Sequence, residues 1–279
     1  MEYRELAPPA ALRSSVQCVW TLEGDAGELG AELQPVLPDG RPELILHLGD
    51  PFERVHADGV AARQAHVLFA GQLTRQLVLR PTGRIAVIGI RFHPDGASCL
   101  LRAPQRDLAG LTLPVQDLVP ALHASISEVR SETDSTERAV DLVMDRLAPR
   151  LDAVRPDVRV RHVVEAIAAA RGQASVDALA RRAGMTRRHL ERRFQEVVGI
   201  SPKRLARITR FQFALSMLDR MDVSERGIRT AAECGYADQA HFIRDFRDLA
   251  GCPPGEHLLR RCELTGFFTH QFAPTEADQ

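Results

Sequence analysis

The feature that most constrains this chain is a segment written twice. "GMTRRHLERRF" (Gly184–Phe194) and "GYADQAHFIRDF" (Gly235–Phe246) each place a glycine before a short polar turn, then carry His, a large apolar residue, Arg and Phe at matching spacing. The two glycines stand 51 residues apart, whereas His189/His241, Arg192/Arg244, Phe194/Phe246, Gly199/Gly251 and Pro202/Pro254 all stand 52 apart, so the second turn is one residue longer. Each copy closes on a Gly-x-x-Pro, "GISP" and "GCPP".

Each copy reads as two helices. "SVDALARRAG" (Ser175–Gly184) offers a capping Ser, then Val176, Leu179, Ala180 and Ala183 on one face. Gly184 falls where a tight inter-helix turn needs a positive φ. Thr186 can cap the next helix, whose apolar face is Leu190, Phe194 and Val197 at i, i+4 and i+7. That leaves Arg187, Arg188, Glu191, Arg192 and Gln195 outside. In the second copy "SERGIRTAAECG" (Ser224–Gly235) leads to a helix capped by Asp238, with Phe242, Phe246 and Leu249 inside. Gln239, Ala240, Ile243 and Arg244 are left toward solvent, with His241 at the edge. A helix, a glycine turn and a second helix with a basic outer face is the helix-turn-helix pattern, and Arg and Gln make bidentate contacts to base edges in the major groove. Between the copies "SPKRLARITRFQFALSMLDR" (Ser201–Arg220) reads as one helix of about 18 residues, hence about 27 Å long. Its apolar face is Leu205, Ile208, Phe211 or Gln212, Leu215 and Leu218. A connector of that length can hold two reading helices roughly one DNA turn apart, about 34 Å.

The charge distribution agrees. Residues 1–154 carry 15 Lys and Arg against 21 Asp and Glu, whereas residues 155–262 carry 21 against 13. The net charge of −1 therefore conceals an acidic first half and a basic second half. Nearly all the basic charge is arginine, Lys203 being the one lysine in the chain. A basic C-terminal part suits a polyanion, although charge alone would also suit an acidic protein.

The two units, "LARRAGMTRRHLERRFQEVVGISPKRL" and "AAECGYADQAHFIRDFRDLAGCPP", resemble the C-terminal domain of the AraC/XylS family of bacterial transcription regulators over about residues 158–260. The resemblance implies that the first turns of both recognition helices read bases. Carried over by position, this points to Arg188, Glu191 and Arg192 in the first unit and to Gln239, Ala240, His241 and Arg244 in the second. Two positions depart from the family. Thr230 stands where an apolar residue is usual, and Ala240 is too short for bidentate reading, which leaves fewer base contacts there or limits them to a thymine methyl.

The first ~100 residues are β-rich. Strand-like runs occur at Ser15–Leu22, Glu43–Leu48, Ala65–Gly71, Leu77–Pro81 and Arg84–Phe92, separated by turn signals such as Pro38-Asp39-Gly40 and Pro94-Asp95-Gly96. Many short strands suggest a small barrel or sandwich, with a mouth or interior that can hold one small ligand. "LPDGRPELILHLG", "AGQLT" and "GIRFHPDGASCLL" look like a sensor-type domain that often precedes this DNA-binding domain. By resemblance to the wider family it would be a cupin-like barrel that binds an effector or dimerises. Trp20, His47, Gln72, Arg91 and His93 could line its pocket, and each also reads as an ordinary core or surface residue.

No cofactor is expected. His47, His56, His66 and His93 stand singly with no His-x-His, so a cupin metal set is not read. Gly-x-Ser-x-Gly, P-loop and Gly-x-Gly-x-x-Gly patterns are absent, which removes support for hydrolase, nucleotidase and dinucleotide chemistry. The five cysteines, at 18, 99, 234, 252 and 262, are odd in number and form no Cys-x-x-Cys, so they read as reduced thiols. A redox switch between Cys18 and Cys99 would need proximity and a lowered pKa.

From about Val115 the period turns helical. Leu118, Leu122, Ile126 and Val129 form one stripe and Ala139, Leu142, Val143 and Leu147 another, with Arg130–Glu137 as a loop between them. These helices would brace the barrel or form a dimer seam. The expected organisation is α+β: a β-rich cupin-like barrel (1–114), a helical bracing or dimerisation segment (115–148), a linker (149–157) broken by Pro149 and Pro156, an all-α domain of two helix-turn-helix units joined by a long helix (158–262), and a tail (263–279). Apolar runs fall short of the ~18 residues a membrane span needs, and the N-terminus lacks a signal-peptide core, so the chain reads as cytoplasmic. The function expected is that of a non-enzymatic regulator. Its partners would be double-stranded DNA, a small-molecule effector, a second copy of the chain, and RNA polymerase if it activates. The competing reading is a small-molecule-binding or enzymatic barrel with the helical domain as a partner module.

Overall fold

The computed structural model describes residues 1–29, 33–218 and 228–259, without the side chains of 228–230. Ser224–Gly227, the Thr230 side chain, Cys262 and the tail with Phe267, Phe268 and Phe272 lie outside the described residues.

Ten strands build the N-terminal half: β1 (Glu2–Leu6), β2 (Val16–Asp25), β3 (Gln34–Val36), β4 (Glu43–His47), β5 (Glu53–Val55), β6 (Ala61–Arg63), β7 (Val67–Ala70), β8 (Leu77–Arg80), β9 (Arg84–Phe92) and β10 (Thr112–Pro114). They form two antiparallel sheets, ordered β1-β2-β9-β4-β7-β10 and β3-β8-β5-β6. Among the described residues no strand belongs to both sheets and the end strands do not pair, so the expected cupin-like barrel is not formed.

The reason lies in β9, "RIAVIGIRF", which is buried from Ile85 to Phe92. A strand of a small barrel alternates between inside and solvent, whereas a continuous apolar run marks a strand covered on both faces. One face of the six-stranded sheet, with Val19, Leu44, Leu46, Phe69, Ile88 and Ile90, packs under helices. The other face, with Trp20, Leu22, Ile85 and Val87, meets Leu77 and Leu79 of the smaller sheet. Alternate residues of each central strand thus serve two different cores.

Close packing between the sheets shows at Gly89, which pairs with Trp20 across β2 and β9. A Cβ at Gly89 would come within 1.9 Å of the indole. Gly89→Ala is expected to displace Trp20 and cost about 1–3 kcal/mol. Urea unfolding followed by fluorescence of Trp20, the one tryptophan in the chain, would measure it, and an unchanged midpoint would contradict the packing.

Four helices complete this half: α1 (Ala97–Leu100), α2 (Val115–Leu118), α3 (Pro120–Glu132) and α4 (Thr136–Asp152). Leu122, Ile126 and Val129 of α3 and Ala139, Val143 and Leu147 of α4 all join the core on the sheet. The two stripes therefore brace the sheet, and the outward side of α4 carries Glu137, Arg138, Asp141 and Asp145. Contrary to expectation, α4 passes through Pro149. The proline is exposed while Leu147 and Leu151 on either side of it are buried, so core packing holds the helix through the lost hydrogen bond.

Asp157 caps α5 (Val158–Ala169) by accepting from the amides of Arg159 and Val160. Then follow α6 (Val176–Arg182), α7 (Arg187–Val198), α8 (Pro202–Leu218), α9 (Ile228–Glu233), α10 (Gln239–Ala250) and α11 (Pro254–Leu259). Both units share one core, in which Leu190 and Phe194 of α7 join Ile208, Phe211 and Leu215 of α8 and Phe242 and Phe246 of α10.

The two halves meet at several polar contacts. The wholly buried Asp95 takes Arg161 Nε on both oxygens, at 3.0 and 2.8 Å. Gln212 Nε2 donates to Pro38 O at 2.7 Å, which explains a buried amide on the apolar face of α8. The Gln76 amide donates to Leu249 O at 2.9 Å, and Arg204 donates to Thr74 O.

Candidate nucleic-acid interface

The two reading helices are built alike. Gly184 and Gly235 take φ values of +63° and +70°, the left-handed turns that the repeated glycines imply. Thr186 Oγ1 accepts from the His189 amide at 3.3 Å, and Asp238 Oδ1 accepts from the His241 amide at 2.6 Å. Inside, Leu190, Phe194 and Val197 are buried on α7, and Phe242, Phe246 and Leu249 on α10. Between them α8 has 17 residues, a length of about 26 Å.

On α7, Arg188, Arg192 and Gln195 are exposed, and neither arginine has a carboxylate partner among the described residues. Arg187 Nε meets Glu191 Oε1 at 3.1 Å, so these two side chains engage each other in the absence of a ligand. Arg193 is used differently. It pairs with Asp157 at 2.7 Å and with Glu196, tying α7 to the cap of α5. Burial opposes the Asp157 charge, but Arg193 and the two capping amides outweigh it and hold the carboxyl below its ordinary range.

On α10, Gln239, Ala240 and Arg244 are exposed, and His241 and Ile243 are half-buried. His241 stacks edge-on against Tyr236 at 5.3 Å, which fixes it at the margin. Asp245 does not join this face as its place among polar residues suggests. It is buried and receives Arg207 Nε of α8 at 2.9 Å. On the outer face of α10, Arg244 has no carboxylate partner among the described residues.

The five candidate effector residues separate. Trp20 and His47 line a cavity between the two sheets, together with Ile45, Phe52, Leu68 and Val87. Arg91 reaches it only through Glu43, which accepts from Arg91 Nε at 2.7 Å and Trp20 Nε1 at 3.0 Å. Gln72 and His93 stand away from it, Gln72 donating to Pro94 O and His93 Nε2 lying 3.1 Å from Arg13 O. Composition could not reveal this sorting, because it depends on which sheet face each residue occupies.

Burial pushes the His47 ring down to about 4, with Gln64 beside it acting the other way. The ring stays neutral in the fold and takes a proton on unfolding below about pH 6.5, so this group removes about 3 kcal/mol of stability as pH falls from 6.5 to 4. Unfolding midpoints across that range should fall for the parent and fall less for His47→Leu; parallel slopes would contradict it.

Cys18 and Cys99 lie in different cores, on opposite faces of the larger sheet. Burial pushes Cys18 up to about 12 and raises Cys99 as well, so neither thiol is activated. Among the described residues no group of three or more His, Cys, Asp or Glu is placed to hold a metal ion, and no helix is long and apolar enough to cross a membrane.

A pair of capped, basic-faced helices on one core defines the class: the C-terminal part is a helix-turn-helix domain preceded by an accessory domain, as the AraC/XylS resemblance implies. Comparison with known families agrees, since residues 179–260 match the helix-turn-helix domain model and residues 4–114 match a domain of unknown function (DUF6597). No curated protein matches the sequence. Among solved structures the chain is similar to an apo variant of ToxT from Vibrio cholerae, at 12% identity and TM-score 0.45, over 86% of this chain and 97% of that one. It is also similar to ToxT with a bound unsaturated fatty acid, at 13% identity and TM-score 0.42, over 86% and 93%. The AraC-like transcriptional activator CuxR gives 15% identity and TM-score 0.25, over 83% and 90%. These scores lie below the level that establishes a shared overall fold.

Proposed function

We propose that the protein is a sequence-specific DNA-binding transcriptional regulator of the AraC/XylS type, in which α7 and α10 read two successive major grooves. The N-terminal half, about residues 1–114, controls it through a small-molecule effector or through dimerisation. The observation that carries this reading is the matched pair of exposed faces. Arg188, Arg192 and Gln195 on one helix, and Gln239 and Arg244 on the other, project from a single core. Arg187, Glu191, Ala240 and His241 complete the two surfaces. Exposed arginines without carboxylate partners meet bases and phosphates at low desolvation cost, and phosphate contacts make the affinity salt-dependent.

Arg192→Ala and Arg244→Ala are each expected to weaken binding to a selected duplex by about 1–3 kcal/mol and to relax specificity within one half of the site. Fluorescence anisotropy on matched and mismatched duplexes measures both effects. If both variants bound like the parent, the reading helices would be wrongly assigned. The first unit, with two unpaired arginines against one, is expected to supply more of the affinity.

A further inference from the structure

The cavity between the sheets is lined mostly by apolar side chains, with Glu43, His47, Gln64 and Thr112 as its polar residues. His47 is 1% exposed and lines the cavity, and neither ring nitrogen meets a partner at hydrogen-bonding geometry, although Gln64 stands beside the ring. An imidazole buried without partners is costly, and a ligand that satisfies it removes that cost. The charged group nearest the cavity, Glu43, is already engaged by Arg91 and Trp20, so a charged ligand finds no free counter-charge.

The cavity has a volume of only about 50 Å³. A molecule of more than a few non-hydrogen atoms must move a wall. Leu73 and Leu77 line the cavity on one side and, on the other, an open groove of about 540 Å³. Leu73 and Leu77 therefore have open space behind them, and this wall can yield outward. The same segment holds the second reading head. Its Gln76 amide binds Leu249 O at the end of α10, Thr74 O accepts from Arg204 of α8, and Arg75 lies 3.8 Å from Asp248.

Resting on the regulator reading above, we infer that the effector is a small uncharged molecule, mainly apolar with one hydroxyl-like group for His47. Its entry pushes the 73–77 wall outward and loosens α10 while leaving α7 in place. The affinity for a two-groove site then falls, because one of the two reading helices is no longer pre-positioned.

The test uses the full chain and three probes: cyclohexanol, cyclohexane and cyclohexanecarboxylate. Trp20 lines the cavity and reports occupancy by its fluorescence. Cyclohexanol should bind about tenfold more tightly than cyclohexane, reflecting one hydrogen bond. The carboxylate should bind more weakly than either, and His47→Leu should abolish the preference for the alcohol. Tighter binding of the carboxylate, or an unchanged preference in His47→Leu, would overturn the ligand class. With cyclohexanol at saturation, amide exchange at Gln76 should quicken, and affinity for a selected two-groove duplex should drop by at least about fivefold. Unchanged exchange at Gln76, or unchanged or stronger duplex binding, would overturn the coupling. Failure to select any duplex would instead count against the DNA reading, and the Trp20 titrations would still decide the ligand class.

Discussion

Phe246→Ala is expected to destabilise both helix-turn-helix units at once, by about 3–5 kcal/mol. Phe246 is wholly buried, and its ring meets Phe211 of the connecting helix at 5.1 Å, Phe242 at 5.8 Å and His257 at 5.5 Å in edge-on contacts. Removing it leaves a void that Phe211, also wholly buried, cannot fill without leaving its place between the units. Because the two units share this core, the effect should reach α7 as well as α10. Far-UV circular dichroism during urea unfolding should show one early transition for the whole helical part. A midpoint within error of the parent, or loss of α10 alone, would mean that the units do not share a core.

The second large effect belongs to Arg161. It is the ion-pair partner of Asp95, a carboxylate with no exposed surface, and it also donates to Ser14 O. Truncation of one partner strands the other charge in the interior, which costs about 3–5 kcal/mol. Arg161 lies on α5 and Asp95 in the turn after β9, so the cost falls on the docking of the two halves rather than on either core. Arg161→Ala should therefore split thermal unfolding into two calorimetric transitions. Arg161→Lys keeps the charge but not the planar fork and should give a smaller separation. A single transition at the parent temperature would show that the pair does not hold the halves together.

Most of the C-terminal domain could be read from sequence because its signals are local. Helical period, glycine turns and caps act within a few residues, and the repeat supplied each signal twice. What could not be read there were the partners of polar side chains. Asp245 looks like one of several outer charges on α10, yet Arg207 of α8 draws it inward. Gln212 stands on an apolar face, and only Pro38 from the other half supplies its acceptor.

The N-terminal half was less legible. The five strand-like runs are strands β2, β4, β7, β8 and β9, but β1 "EYREL" is almost wholly exposed and carries no apolar pattern. Strands β3, β5, β6 and β10 have three residues each, too few for a period to show. Closure of a sheet is decided by long-range pairing, and only the unbroken apolar run of β9 hinted that both faces would be covered. Trp20 and His47 could be named as pocket candidates, but not that they share one cavity or that its wall carries α10.

On the proposed reading, one chain spans two successive grooves with α7 and α10. Selection of the full-length protein against randomised duplex DNA at low salt tests it most directly. Two short motifs should be enriched, with centres about one helical turn apart, roughly 10–10.5 base pairs. Arg192→Ala should degrade one motif and Arg244→Ala the other. No enrichment, or a single motif that both substitutions leave intact, would contradict it.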